Sequence, residues 1–240
     1  MGDFKGDWAL YELVPFGLEG ETIPSPVVTA SLAELYCAEI SAQLNGPFCL
    51  TGYCEGGPIS YAIASCLQKL GHDVPLLVLV DSRPSCATGF TTEYQSIVQV
   101  LSGQEDLPQA AAGALASAGQ LLRSDPDAAL AELCRALAEL VEPKLGADEY
   151  TASLYRQLLQ RYRAWLAYLI ASSNFEGDQD YTGEIHLFTS MSIQDFQLDW
   201  LPQDRVTFRE FDSPHGQLLG NPELRSEFAE LVRRTGLSAG

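Results

Sequence analysis

The strongest chemical signal in the sequence is the string Leu50-Thr51-Gly52-Tyr53-Cys54-Glu55-Gly56-Gly57, which has the form G-x-C-x-G. It lies between a short apolar run and a helical pattern. A thiol held on a tight strand-to-helix turn needs small residues two positions to either side, here Gly52 and Gly56. The backbone there is strained and the adjoining segments crowd it. Such a turn delivers Cys54 to a helix N-terminus, where N–H groups and the helix dipole favour a thiolate and a developing oxyanion. The chemistry expected is nucleophilic attack through a covalent intermediate. The backbone N–H of Glu55 is then a candidate oxyanion donor, whereas its carboxylate works against the thiolate.

Alone, the pattern is also met by a buried cysteine beside turn glycines, and two further residues give it weight. Asp81 directly follows the apolar run Pro75–Val80, at the strand end where catalytic groups of α/β proteins collect. His215 lies in Phe211-Asp212-Ser213-Pro214-His215-Gly216, just past the last strand pattern. The order nucleophile, acid, histidine is that of the α/β-hydrolases. Asp195 is the rival acid, and Asp212 reads as a surface loop residue. His72 reads as a helix-end or exposed histidine and His186 as a satisfied core histidine within a strand. Cys37, Cys66 and Cys134 fall on helical faces and read as packing residues.

The elements that must position these groups follow from the hydrophobic pattern. Trp8–Val14 reads as a first strand. Ser31 with Glu34 forms a capping box opening a helix whose buried stripe is Leu32, Leu35, Ile40 and Leu44. Phe48–Thr51 is a short strand, Glu55–Leu70 a helix, and Pro75–Val80 the best buried parallel-strand signal. This alternation predicts an α/β fold with a mostly parallel sheet flanked by helices. It stops over residues 86–146, an Ala-rich helical stretch with Asp125-Pro126 as a helix start. That stretch is expected to be a helical lid insertion within a single domain spanning residues 1–240. An amphipathic helix over 148–171, strands over 184–189 and 206–211, and a closing helix from Asn221-Pro222 complete the reading.

Composition narrows the function classes. Hydrophobic residues make up 46% of the 240, enough to bury a core. The formal charge of −18 would repel phosphate backbones and anionic lipid, so neither nucleic acid nor a membrane is an expected partner. The six scattered cysteines show no C-x-x-C pair and no histidine at zinc spacing. They predict thiols in a reducing, cytoplasmic compartment and no metal site.

The stretch from Trp8 to Gly57, the Val80-Asp81-Ser82 step and the His215 loop together resemble the thioesterase domains that end nonribosomal peptide synthetases and polyketide synthases. The resemblance implies an α/β-hydrolase fold with Cys54 as nucleophile, His215 as base, Asp81 as orienting acid and 86–146 as lid over an acyl chamber. It also implies a substrate delivered as a thioester on the phosphopantetheine arm of an upstream acyl or peptidyl carrier protein, with no bound cofactor. Most relatives carry serine at the position of Cys54, and no residue here is assigned as the second oxyanion donor. A cysteine makes loading a thiol–thioester exchange that keeps the acyl group activated, which favours ring closure to a lactam or lactone over hydrolysis. The alternatives are a transferase shuttling acyl or aminoacyl groups between carrier proteins through Cys54, and an inactive docking module.

Overall fold

The computed structural model describes residues 9–18, 22–84, 87–175, 177, 180–190 and 199–236. The chain divides into two compact units: Met1–Leu13, Ala33–Pro84 and Glu176–Gly240 in one, Val14–Leu32 and Ser85–Phe175 in the other.

The first unit is built on a four-stranded parallel sheet of β1 (Cys49–Tyr53), β2 (Leu76–Val80), β3 (Glu184–Thr189) and β4 (Val206–Glu210), in that spatial order. The expected α/β class is therefore observed. All five residues of β2 are buried, as an unbroken apolar run at the middle of a parallel sheet requires. Each such side chain contributes about 1.5–3 kcal/mol by leaving water. Leu76, Val78 and Val80 pack with Phe188 and Phe211 against Leu224, Leu231 and Val232 of helix α7 (Pro222–Arg234). Asn221 caps α7 by accepting from the N–H groups of Glu223 and Leu224, and Pro222 starts it. Helix α2 (Gly56–Lys69) links β1 to β2 and buries Ile59, Ile63 and Leu67.

Two expectations near the N-terminus need correction. Ala9–Val14 forms no strand, and Trp8 lies outside the described residues. Leu10 and Tyr11 are exposed, so neither face of the segment finds the sheet or core that would make a strand of it. Helix α1 (Thr29–Gln43) starts before Ser31, placing the expected cap inside the first turn. Its buried stripe runs through Leu32, Tyr36 and Ile40, while Leu35 is exposed.

The second unit contains α3 (Ala87–Ser102), α4 (Gln109–Leu121), α5 (Pro126–Leu145) and α6 (Glu149–Ser173), with α5 lying against both α4 and α6. Asp125 caps α5 and Asp148 caps α6, each carboxylate accepting a backbone N–H at 3.0 Å. Ala111, Leu133 and Val141 are fully buried in this unit. Among the described residues no helix is long and apolar enough to cross a membrane.

Candidate active site

Parallel register decides where the candidate groups emerge. Tyr53 pairs with Val80, so Cys54 and Asp81 leave neighbouring strands side by side. The Cys54 N–H donates to the Val80 carbonyl at 3.0 Å, and the Asp81 N–H to the Phe188 carbonyl at 2.7 Å. Among the described residues the non-glycines with positive φ are Cys54 (55°) and Asp81 (45°). Left-handed backbone costs an L-residue roughly 1–2 kcal/mol, so each must be held by its surroundings.

At Cys54 that support is steric. A Cβ on Gly52 would come within 2.7 Å of the Gly56 carbonyl oxygen and the Gly57 Cα, so only glycine lets the helix start close over the strand. At Gly57 a Cβ would lie 2.1 Å from the Ser82 Cβ, whereas at Gly56 it would meet nothing within 4 Å among the described residues. The crowding expected at Gly56 thus falls on Gly57. Ser82, fully buried, donates to the carbonyls of Gly52 and Val80 and ties the two strand ends together.

Asp81 has a 5% exposed side chain, against 48% for His215. Its Oδ1 accepts the Ser190 N–H at 2.7 Å and its Oδ2 accepts the Ser190 hydroxyl at 2.6 Å. The same Oδ2 lies 2.9 Å from His215 Nδ1. Burial alone would raise the carboxyl, but the hydrogen bonds from Ser190, His215 and Thr189 outweigh it and hold Asp81 below the ordinary carboxylate range. A carboxylate ionised at neutral pH can only accept, so the Nδ1 facing it is the donor, and Nε2 is the ring nitrogen not engaged by Asp81.

Tyr53, the residue before Cys54, fixes the other side of the histidine. Its ring stacks on the His215 imidazole with centroids 4.8 Å apart and planes at 15°, and its hydroxyl donates to the His215 carbonyl at 2.9 Å. Burial, then the Cys54, Asp81 and Glu55 charges, push the Tyr53 phenol up, which keeps it a donor. The Cys54 thiol itself donates to the Glu55 carboxylate.

The remaining candidates sit elsewhere. Asp212 is exposed, and Asp195 and Cys86 lie outside the described residues. His72 bonds Ser41 through Nε2 at 2.9 Å and its ring meets Phe48. His186 is buried on β3, but only Nε2 has a partner, Glu184 at 3.4 Å. Its Nδ1 has none among the described residues, so it is not the satisfied core histidine expected. Cys37 is buried and donates to the Ile63 carbonyl, and Cys134 lines a cavity of about 330 Å³ with Leu137, Leu159 and Arg163 inside the helical unit. No group of three His, Cys, Asp or Glu side chains among the described residues could hold a metal ion.

Ser190, Tyr53 and Gly57 are the site residues that sequence reasoning missed, whereas the Glu55 carboxylate was placed beside the thiol but without its hydrogen bond. Ser190 had a usable signal, since it directly follows β3 as Cys54 and Asp81 follow β1 and β2.

Residues 18–219 match the protein family described as the Thioesterase domain. Over 86 residues the chain is 33% identical to a dimodular nonribosomal peptide synthase of Bacillus subtilis (strain 168), which covers 35% of this chain and 4% of that protein. The chain thus spans a small fraction of the length of that curated relative. Among solved structures it resembles a four-domain nonribosomal peptide synthetase, in its holo form bound to AMP and glycine. There the identity is 22% and the TM-score 0.52, over 91% of this chain and 16% of that one. The Vlm2 thioesterase domain aligns at 19% identity and a TM-score of 0.49, over 91% of this chain and 80% of the other.

Proposed function

The chain belongs to the thioesterase domain family, and on that premise we propose that it takes an acyl or peptidyl chain from a carrier-protein phosphopantetheine thioester onto Cys54 and releases it by intramolecular ring closure. The observation that carries the reading is the 2.9 Å contact of His215 with Asp81, beside a cysteine at φ 55° on a strand-to-helix elbow. In this reading His215 Nε2 takes the thiol proton and Cys54 Sγ attacks the thioester carbonyl carbon. The resulting oxyanion is stabilised by the Glu55 N–H at the start of α2. Collapse breaks the bond to the pantetheine sulfur, which takes the proton back from His215 and leaves as a thiol. An internal amine or hydroxyl of the bound chain then attacks the acyl carbon. His215 accepts its proton and returns it to the departing Cys54 thiolate.

Ring closure is favoured over hydrolysis because a cysteine stores the chain as a thioester. Its carbonyl stays strongly electrophilic and its leaving group is good, which matters most for a weak or constrained internal nucleophile. The curated and structural relatives named as nonribosomal peptide synthetases support the carrier-bound substrate. The helical stretch 86–146 fits the part of a lid, since it interrupts the βα alternation and its helices pack among themselves and against α6. The test is incubation with an amine-terminated acyl thioester of N-acetylcysteamine, followed by product analysis. A cyclic amide appearing faster than the acid supports the proposal, and acid alone contradicts it.

A further inference from the structure

We propose that the Glu55 carboxylate is a second catalytic base, one that recruits a cationic amine to the loaded Cys54 and takes up its ammonium proton. The inference rests on the reading of Cys54 as the acylated residue and specifies the acceptor that residue serves.

Three observations carry it. Glu55 occupies the N-cap of α2, where a carboxylate ordinarily accepts a backbone N–H from the first turn, yet its side chain makes no capping bond. It turns instead to Cys54 and accepts a hydrogen bond from the thiol. It is half-buried, and no Lys or Arg among the described residues pairs with it. The local charge from Glu55 and Asp81, both close enough to Tyr53 to push its phenol up, is negative.

Loading changes what this carboxylate faces. Once the sulfur carries an acyl group it has no proton to donate, and Glu55 is left anionic, without its partner, next to the acyl sulfur. A carboxylate so placed gains most from a group bringing both positive charge and hydrogen-bond donors, which a primary ammonium does and a water or alcohol does not. The proton balance then closes. Glu55 takes one proton from the ammonium, giving a neutral amine and a carboxylic acid. The amine nitrogen forms its bond to the acyl carbon and loses a second proton to His215. The C–S bond breaks and His215 returns that proton to the Cys54 thiolate. Glu55 releases the first proton to water.

The test separates this role from the reading beneath it. The protein is acylated with a small acyl N-acetylcysteamine thioester, desalted, and chased near pH 7 with propylamine, which is cationic, or methoxyamine, which is not. Amide formation is followed by mass spectrometry, so the rate of loading does not enter. In Glu55→Gln the propylamine-to-methoxyamine rate ratio should fall by about tenfold or more, and Glu55→Asp should recover part of it. On the unmodified protein, tetramethylammonium should slow the propylamine reaction and leave the methoxyamine reaction alone. A ratio changed by less than about twofold in Glu55→Gln, or indifference to tetramethylammonium, overturns the role of Glu55 while leaving Cys54 as the nucleophile. Failure of the unmodified protein to gain the acyl mass at Cys54 overturns both.

Discussion

Ser190 grips both oxygens of Asp81, its N–H on Oδ1 at 2.7 Å and its hydroxyl on Oδ2 at 2.6 Å. Because that Oδ2 also meets His215, the serine sets the angle from which the carboxylate addresses the imidazole. Ser190→Ala should remove a charge-assisted bond worth about 1.5–3 kcal/mol and slow acyl loading by roughly tenfold. The sign with pH follows from Asp81, whose folded pKa lies below its ordinary 3.8. Its contribution to stability is present above that value and is lost as pH falls through the folded pKa. Urea unfolding should therefore show a deficit for Ser190→Ala at neutral pH that shrinks in strong acid. A deficit that grows with acidity would count against this account.

The elbow makes a contrast between adjacent glycines. Gly57→Ala must push a Cβ into Ser82, 2.1 Å away, and should cost about 1–3 kcal/mol or more. Gly56→Ala meets open space at the helix start and should be neutral or stabilising by up to about 1 kcal/mol. Thermal unfolding of the two variants reads this directly, and a larger loss at Gly56 would contradict the packing described.

Tyr53 holds His215 through a hydroxyl and a stacked ring, and the two can be removed in turn. Tyr53→Phe gives up one hydrogen bond, about 0.5–1.5 kcal/mol. Tyr53→Leu gives up the stacked pair as well, a further ~0.5–1.5 kcal/mol. Acyl loading should fall in the order wild type, Phe, Leu. Equal rates for all three would mean the histidine is oriented by Asp81 alone.

The thiols should differ in reactivity. Burial pushes Cys134 up to about 11 despite the opposing pull of Arg163. Burial likewise pushes Cys49 up to about 11, with Asp73 adding to it and the Thr235 hydroxyl opposing. Near pH 8 each is therefore a thiolate only about one part in a thousand of the time, rising tenfold per pH unit. Iodoacetamide with peptide mapping should label Cys54 before either of them. Labelling of Cys134 or Cys49 first would contradict the site.

What the sequence disclosed was whatever depends on neighbours along the chain. The run Leu76–Val80 is apolar without interruption because both its faces are covered, and β3 falls on Glu184–Thr189 as read. Asp125, Asp148 and Asn221 announce helices that start where they stand. What failed depends on partners distant in sequence. Ala9–Val14 has strand-forming side chains but no strand beside it among the described residues, and Gly56 and Gly57 are told apart by Ser82 approaching from the end of β2. Ser190 and Tyr53 bind Asp81 and His215 across more than a hundred residues of chain, so the strand-end position of Ser190 marks its place at the site but not its partner.

The central claim is that Cys54 carries the chain as a thioester. Intact-protein mass spectrometry after incubation with an acyl N-acetylcysteamine thioester tests it in the unmodified protein, Cys54→Ala and Cys54→Ser. The unmodified protein should gain the acyl mass and pass it to an amine, and the alanine variant should gain nothing. The serine variant should load slowly and then stall or hydrolyse, because its oxygen ester is the poorer electrophile. Acyl mass and turnover in Cys54→Ala would contradict the account.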